Sequence, residues 1–221
     1  MKREQLDIPV PDAPGQVSAE WMKPRDAHTV YVFAHGAGAP KSHAFMVGLS
    51  SALAGRGVAT LRFNFPYMER GSRRPDSPAV AQRAIVSAIT TAVRLAPGLP
   101  IVAGGKSFGG RMASQMLSGS SIPEVVGLVF VGFPLHPAGK PATDRAAHLR
   151  DVTVPMLFLQ GTRDALAHQS LIEEVCRALP LATLHLFEGA DHSFKAGKRD
   201  LLPELADRIE AWCNALVSFK K

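Results

Sequence analysis

Ile101-Val102-Ala103-Gly104-Gly105-Lys106-Ser107-Phe108-Gly109-Gly110 runs a short apolar segment straight into a glycine-rich turn with one serine at its centre. Residues 111–117 then continue with apolar positions at helical spacing. A strand that ends in a tight turn and gives way to a helix is one unit of an alternating β/α chain. The unit recurs on both sides of this stretch, and that recurrence decides the fold.

Short runs rich in β-branched and aromatic residues stand at Thr29–Ala34, Val58–Phe63, 101–103, Val125–Val131, 155–159 and Ala182–Phe187. Each is close to continuously apolar, as expected of strands covered on both faces. Between them, 44–54, 80–95, 111–117, 168–178 and 199–219 carry helical patterns. Alternation of this kind predicts a mostly parallel, doubly wound α/β sheet of about seven or eight strands, with helices on both faces. Two weaker strands near 6–10 and 17–21 are expected at an antiparallel edge. The longest loop-like stretches, 66–78 and 134–152, are too short for a separate unit, so a single domain over 1–221 without a large lid is expected.

The composition suits that reading. The 221 residues are 46% apolar and 20% charged, with a net charge of +6. Such a positive balance can mark a nucleic-acid binder. Here the basic residues are spread along the chain apart from Arg70, Arg73 and Arg74, and no arginine run with interleaved aromatics occurs, so no nucleic-acid partner is expected. Cys176 and Cys213 lack CxxC spacing and a metal-ligand cluster. Free thiols, no metal and no cofactor are expected. The opening residues lack the apolar stretch of a signal peptide, and no run reaches the 18 or so apolar residues of a membrane span. A cytoplasmic protein without membrane association follows as an expectation.

In a parallel sheet all strands finish on one rim, and ligands bind in the crevice there. Chemistry is therefore sought in the loops that follow the strands. Gly105-Lys106-Ser107-Phe108-Gly109 fits G-x-S-x-G in the strand–turn–helix setting of a nucleophile elbow. Random placement yields this pattern in roughly one such chain in ten, so the setting carries more weight than the pattern. The GKS run also resembles the end of a phosphate-binding loop, but Pro100 stands where that loop needs its first glycine.

A serine hydroxyl needs a base. Of the eight histidines, His185 lies inside a strand pattern, and His28 precedes a strand and belongs to the opposite rim. His192, in Gly189-Ala190-Asp191-His192-Ser193-Phe194, follows the last strand. The base in turn needs a carboxylate to fix its tautomer. Asp164 supplies one, in Gly161-Thr162-Arg163-Asp164 after the preceding strand. Asp191 adjoins the base and is read as a loop-structuring residue. The N–H of Phe108 and an N–H from His35-Gly36-Ala37-Gly38 are the expected oxyanion donors, Ala37 first and Gly36 or Gly38 second. His35 is expected to brace that loop.

Together HGAG, GKSFGG, GTRD and GADHSF resemble the motifs of the α/β-hydrolase superfamily. The likeness runs from about residue 29 to 219 and is nearest to small, lid-poor, dienelactone-hydrolase-like bacterial hydrolases, relatives of a domain in a eukaryotic chromatin-complex subunit. The resemblance implies an acyl hydrolase, and the order Ser107, Asp164, His192 agrees with it. Dienelactone hydrolases use a cysteine nucleophile, whereas this chain has Ser107, so a serine esterase acting on a small ester through an acyl-enzyme fits better. The rival readings are a catalytically silent interaction module and an acyltransferase or perhydrolase using the same three residues.

The loop 65–78 should overhang the rim. Its Arg70, Arg73 and Arg74 would favour anionic substrates, since guanidinium pairs well with carboxylate. Tyr67 is assigned to substrate binding with them. Phe45, Phe65, Met68, Phe108, Phe133 and Leu135 are apolar residues available for an acyl pocket or for the core.

Overall fold

A computed structural model describes residues 1–11 and 15–218. The chain opens with an antiparallel pair, β1 (Lys2–Val10) and β2 (Gly15–Lys23), then alternates. β3 (Thr29–Ala34), α1 (Ala44–Ala54), β4 (Val58–Phe63), the short α2 (Pro66–Glu69), α3 (Pro78–Leu95) and β5 (Ile101–Lys106) form the first half. α4 (Phe108–Gly119), β6 (Val125–Val131), a 3₁₀ helix (Asp144–Asp151), β7 (Met156–Gly161), α5 (Gln169–Arg177), β8 (Ala182–Phe187) and α6 (Leu202–Ser218) form the second. The strands make one eight-stranded sheet in the order β1-β2-β4-β3-β5-β6-β7-β8. Only β1/β2 and β2/β4 pair antiparallel; from β4 to β8 every pairing is parallel.

Each central strand divides its apolar side chains between two cores, which is why the sequence reads as continuous apolar runs. Val30, Val32, Leu128, Phe130 and Phe158 face α3, α4 and α5. Tyr31, Phe33, Val129, Val131 and Leu157 face α1 and α6. β8 departs from the expected covering: Thr183 and Leu186 are exposed and His185 half-buried. It is the terminal strand, with no neighbour on its outer side among the described residues.

The region around the serine also differs from the expected boundaries. β5 continues through Gly104, Gly105 and Lys106 instead of stopping at Ala103, and α4 begins at Phe108, three residues before Arg111. These glycines are not loop residues. They let β3 and β6 approach the strand end, so extended and helical backbone meet at Ser107 alone. The stretch 66–78 contains α2, and 134–152 contains the 3₁₀ helix. Phe219, expected at the end of the last helix, lies outside the described residues. Cys176 and Cys213 are free and buried, and burial pushes both thiols up to about 12.

Candidate functional site

At Ser107 the backbone takes φ 49° and ψ −114°, a conformation L residues avoid at a cost of roughly 1–3 kcal/mol. Its neighbours permit the turn. A Cβ at Gly105 would lie 2.2 Å from the Ala34 carbonyl oxygen, and one at Gly109 would lie 2.7 Å from that of His35. Ser107 N–H donates to the Val131 oxygen at 3.2 Å, pinning the turn between the ends of β3 and β6. The hydroxyl is thereby held at the carboxyl rim of the sheet.

His192 reaches that hydroxyl from the turn after β8. Its Nε2 lies 2.9 Å from Ser107 Oγ, and its Nδ1 lies 2.7 Å from Asp164 Oδ2. A carboxylate accepts, so this network assigns the proton to Nδ1 and leaves the Nε2 lone pair for the serine O–H. Asp191 Oδ1 accepts from Ser193 N–H at 2.8 Å and Lys195 N–H at 2.9 Å. It shapes the turn instead of pairing with the imidazole. Phe194, at φ 60°, closes the turn by donating its N–H to the Asp191 oxygen.

Asp164 is buried and held by three donors: Leu166 N–H on Oδ1 at 2.7 Å, and His192 Nδ1 and the Gln160 amide on Oδ2. Gln160 is the penultimate residue of β7, and its Oε1 accepts from Phe133 N–H at 2.9 Å. Sequence reasoning passed over Gln160. The signal was a glutamine ending the apolar run MLFLQ immediately ahead of the aspartate loop.

The loop after β3 is fixed by His35. Its Nδ1 donates to the Gly36 oxygen at 2.7 Å, and its Nε2 accepts from Phe65 N–H at 3.0 Å. Burial lowers this imidazole to about 4, so it stays neutral and keeps the acceptor that Phe65 needs. Further along, Lys41 N–H donates to Asn64 Oδ1 at 2.9 Å, and the buried Arg62 guanidinium donates to the Lys41 oxygen. Gly38 N–H is engaged by the Tyr67 hydroxyl at 3.3 Å, which removes it as an oxyanion donor. Ala37 is exposed beside Ser107, and Phe108 N–H, the first of α4, has no carbonyl within the helix to donate to.

Ala37, Phe45, Met46 and Leu166, with Ser107 and His192, line a cavity of about 290 Å³. The four residues assigned to substrate binding from sequence do not line it. Tyr67 is fully buried, its N–H on Asp76 and its hydroxyl on Gly38. Arg70 pairs with Asp76 at 2.6 Å, and Arg73 and Arg74 point into solvent. The loop closes on its own carboxylate, Asp76. Of the apolar candidates, Phe45 lines the cavity, whereas Phe65, Phe133 and Leu135 are core. Lys106, read from sequence as a position of the elbow motif with no role of its own, also lines it.

A doubly wound sheet carrying a hydroxyl, an imidazole and a carboxylate in one hydrogen-bonded row at its carboxyl rim defines an α/β-hydrolase architecture. The chain belongs to the α/β-hydrolase domain family, whose model matches residues 27–221. Its fold is similar to that of an α/β serine hydrolase homologue from Coxiella burnetii, with 20% identity, 96% of this chain and 97% of that one covered, and a TM-score of 0.76. It is likewise similar to a dienelactone hydrolase from Anabaena variabilis, with 18% identity, 96% of each chain covered and a TM-score of 0.76. A lid-free α/β serine hydrolase from Xanthomonas campestris matches at 19% identity over 99% of this chain and 94% of that one, with a TM-score of 0.69. Among the described residues, no helix is long and apolar enough to cross a membrane, and no group of three or more His, Cys, Asp or Glu side chains could hold a metal ion.

Proposed function

We propose that this protein is a serine esterase that cleaves small esters through an acyl-enzyme on Ser107. The observation that carries the reading is the unbroken row Ser107 Oγ, His192 Nε2, His192 Nδ1 and Asp164 Oδ2, with contacts of 2.9 and 2.7 Å. As Oγ attacks the ester carbonyl, its proton passes to Nε2, and the carbonyl π pair moves onto oxygen. The Phe108 and Ala37 N–H groups receive that oxyanion, each such donor contributing roughly 3–4 kcal/mol to the transition state. Collapse expels the alkoxide, which leaves as an alcohol with the proton from Nε2. Water then repeats the cycle on the Ser107 ester, giving the acid and free enzyme. Asp164 holds the imidazole in the required tautomer and stabilises the imidazolium.

The apolar walls and modest volume of the cavity favour short acyl chains. A series of p-nitrophenyl esters from acetate to octanoate tests the reading. Turnover should show a pre-steady-state burst of nitrophenol, and Ser107→Ala should lower kcat by roughly 10⁴–10⁶-fold. A wild-type protein without burst or turnover across the series would instead favour a silent interaction module.

A further inference from the structure

We infer that Lys106 is a positioning residue for the base, tying the turn that carries His192 to the strand end that carries Ser107. The inference rests on the esterase reading. The Lys106 ammonium donates to the main-chain oxygen of His192 itself. It also sits 5.4 Å from the centroid of the Phe194 ring, two residues further along the same turn. One side chain thus grips the base's turn at two points, by a charge-assisted hydrogen bond and by a cation–π contact. Because Lys106 adjoins Ser107 in the chain, nucleophile and base share a support separate from the hydrogen bond between them.

This support matters most after acylation. Once Oγ is an ester oxygen it has no proton to give, and the Ser107–His192 hydrogen bond is gone. Asp164 still holds Nδ1, but a ring held at one nitrogen can swing with its turn. That turn follows β8, an edge strand of the sheet with Thr183 and Leu186 exposed. The Lys106 contacts persist through the acyl-enzyme and keep Nε2 aimed at the water it activates. Asp164 and Asp191 are the carboxylates that face the ammonium and offset its charge beside the imidazole. Burial lowers Lys106 to about 8, with these two carboxylates opposing the shift. The charged strut is therefore present below pH 8 and weakens above it, where the neutral amine is a poorer donor and makes no cation–π contact.

Stopped-flow hydrolysis of p-nitrophenyl acetate by wild type, Lys106→Met and Lys106→Arg tests the role. The expected result for Lys106→Met is a retained burst with deacylation slowed roughly 10–100-fold, the scale of a small misplacement of a catalytic group. Lys106→Arg should recover most of the deacylation rate. Wild-type deacylation should decline above pH 8, and Lys106→Arg, whose guanidinium stays charged, should lack that decline. Deacylation by Lys106→Met equal to wild type, or an identical alkaline decline in Lys106→Arg, would overturn the inference. If Lys106→Met does not fold by circular dichroism, the comparison of wild type with Lys106→Arg decides alone. Failure of the esterase reading itself looks different, since wild type would then show no burst at all.

Discussion

The amide of Gln160 donates to Asp164 Oδ2, the same carboxylate oxygen that faces His192 Nδ1 at 2.7 Å. The glutamine is fully buried and its other end accepts from Phe133 N–H. Strand β7 thereby fixes the carboxylate before the imidazole meets it. Gln160→Leu strips that donor and strands the Phe133 N–H. A loss of about 1–3 kcal/mol of stability is expected from the unsatisfied group, together with a kcat lower by roughly 10–100-fold from the freed carboxylate. Urea unfolding and ester turnover measure the two separately. A stability loss with kcat untouched would show that Asp164 is oriented without Gln160.

Gly105 stands where the strand end meets β3, with a Cβ there lying 2.2 Å from the Ala34 backbone oxygen. Backbone cannot step aside as a flexible side chain can. Gly105→Ala should cost about 1–3 kcal/mol, as overpacking does elsewhere, and displace the serine. Equilibrium denaturation of the purified variant gives the number, and an unchanged midpoint would contradict the packing described.

How far the sequence carried these conclusions follows from the same residues. Thr29–Ala34, Val58–Phe63 and Val125–Val131 emerge with the boundaries read from them, because strands buried on both faces leave an uninterrupted apolar run. Ser107, Asp164 and His192 stand after β5, β7 and β8, the strands that were readable. Glycines misled the reading around the elbow: Gly104, Gly105, Gly109 and Gly110 look like loop in composition, yet they sit in strand and helix where neighbouring backbone leaves no room for a side chain. The placement of the arginine loop was not legible for another reason. Charge along the chain shows that Arg70 is cationic, but not that Asp76 lies close enough to engage it, nor that Tyr67 turns inward. Lys106 contacts the His192 carbonyl, a main-chain partner far away in sequence, so no local pattern marks it, whereas Gln160 lies close in sequence to its partner Asp164 and is marked by its place at the end of MLFLQ.

His35 couples the site to acid stability. Its imidazole, held at about 4 by burial, titrates near 6.5 when unfolded. The unfolded chain therefore binds the proton first as pH falls. The stabilisation is complete above about 6.5 and is lost as pH drops toward 4, on the order of 3 kcal/mol in all. His35→Gln keeps a donor and an acceptor but has no proton to gain. Its stability should fall less steeply than wild type between pH 6.5 and 4 in denaturant titrations. Parallel slopes would contradict the buried, neutral assignment.

Leu166 is a half-buried apolar wall of the cavity, while its backbone N–H holds Asp164. Leu166→Ala leaves the N–H in place and opens room. The ratio of kcat/KM for hexanoate over acetate esters should rise roughly tenfold, the scale of a methylene or two in an apolar pocket. A ratio equal to that of wild type would place the acyl group elsewhere.

A fluorophosphonate probes the nucleophilicity of the Ser107 hydroxyl without knowledge of the natural ester. Peptide mass spectrometry of the treated wild-type protein should find one phosphonyl adduct, on Ser107. Ser107→Ala should carry none, and His192→Ala should label far more slowly. An unlabelled wild-type protein, or an adduct on another residue that survives Ser107→Ala, would contradict the account.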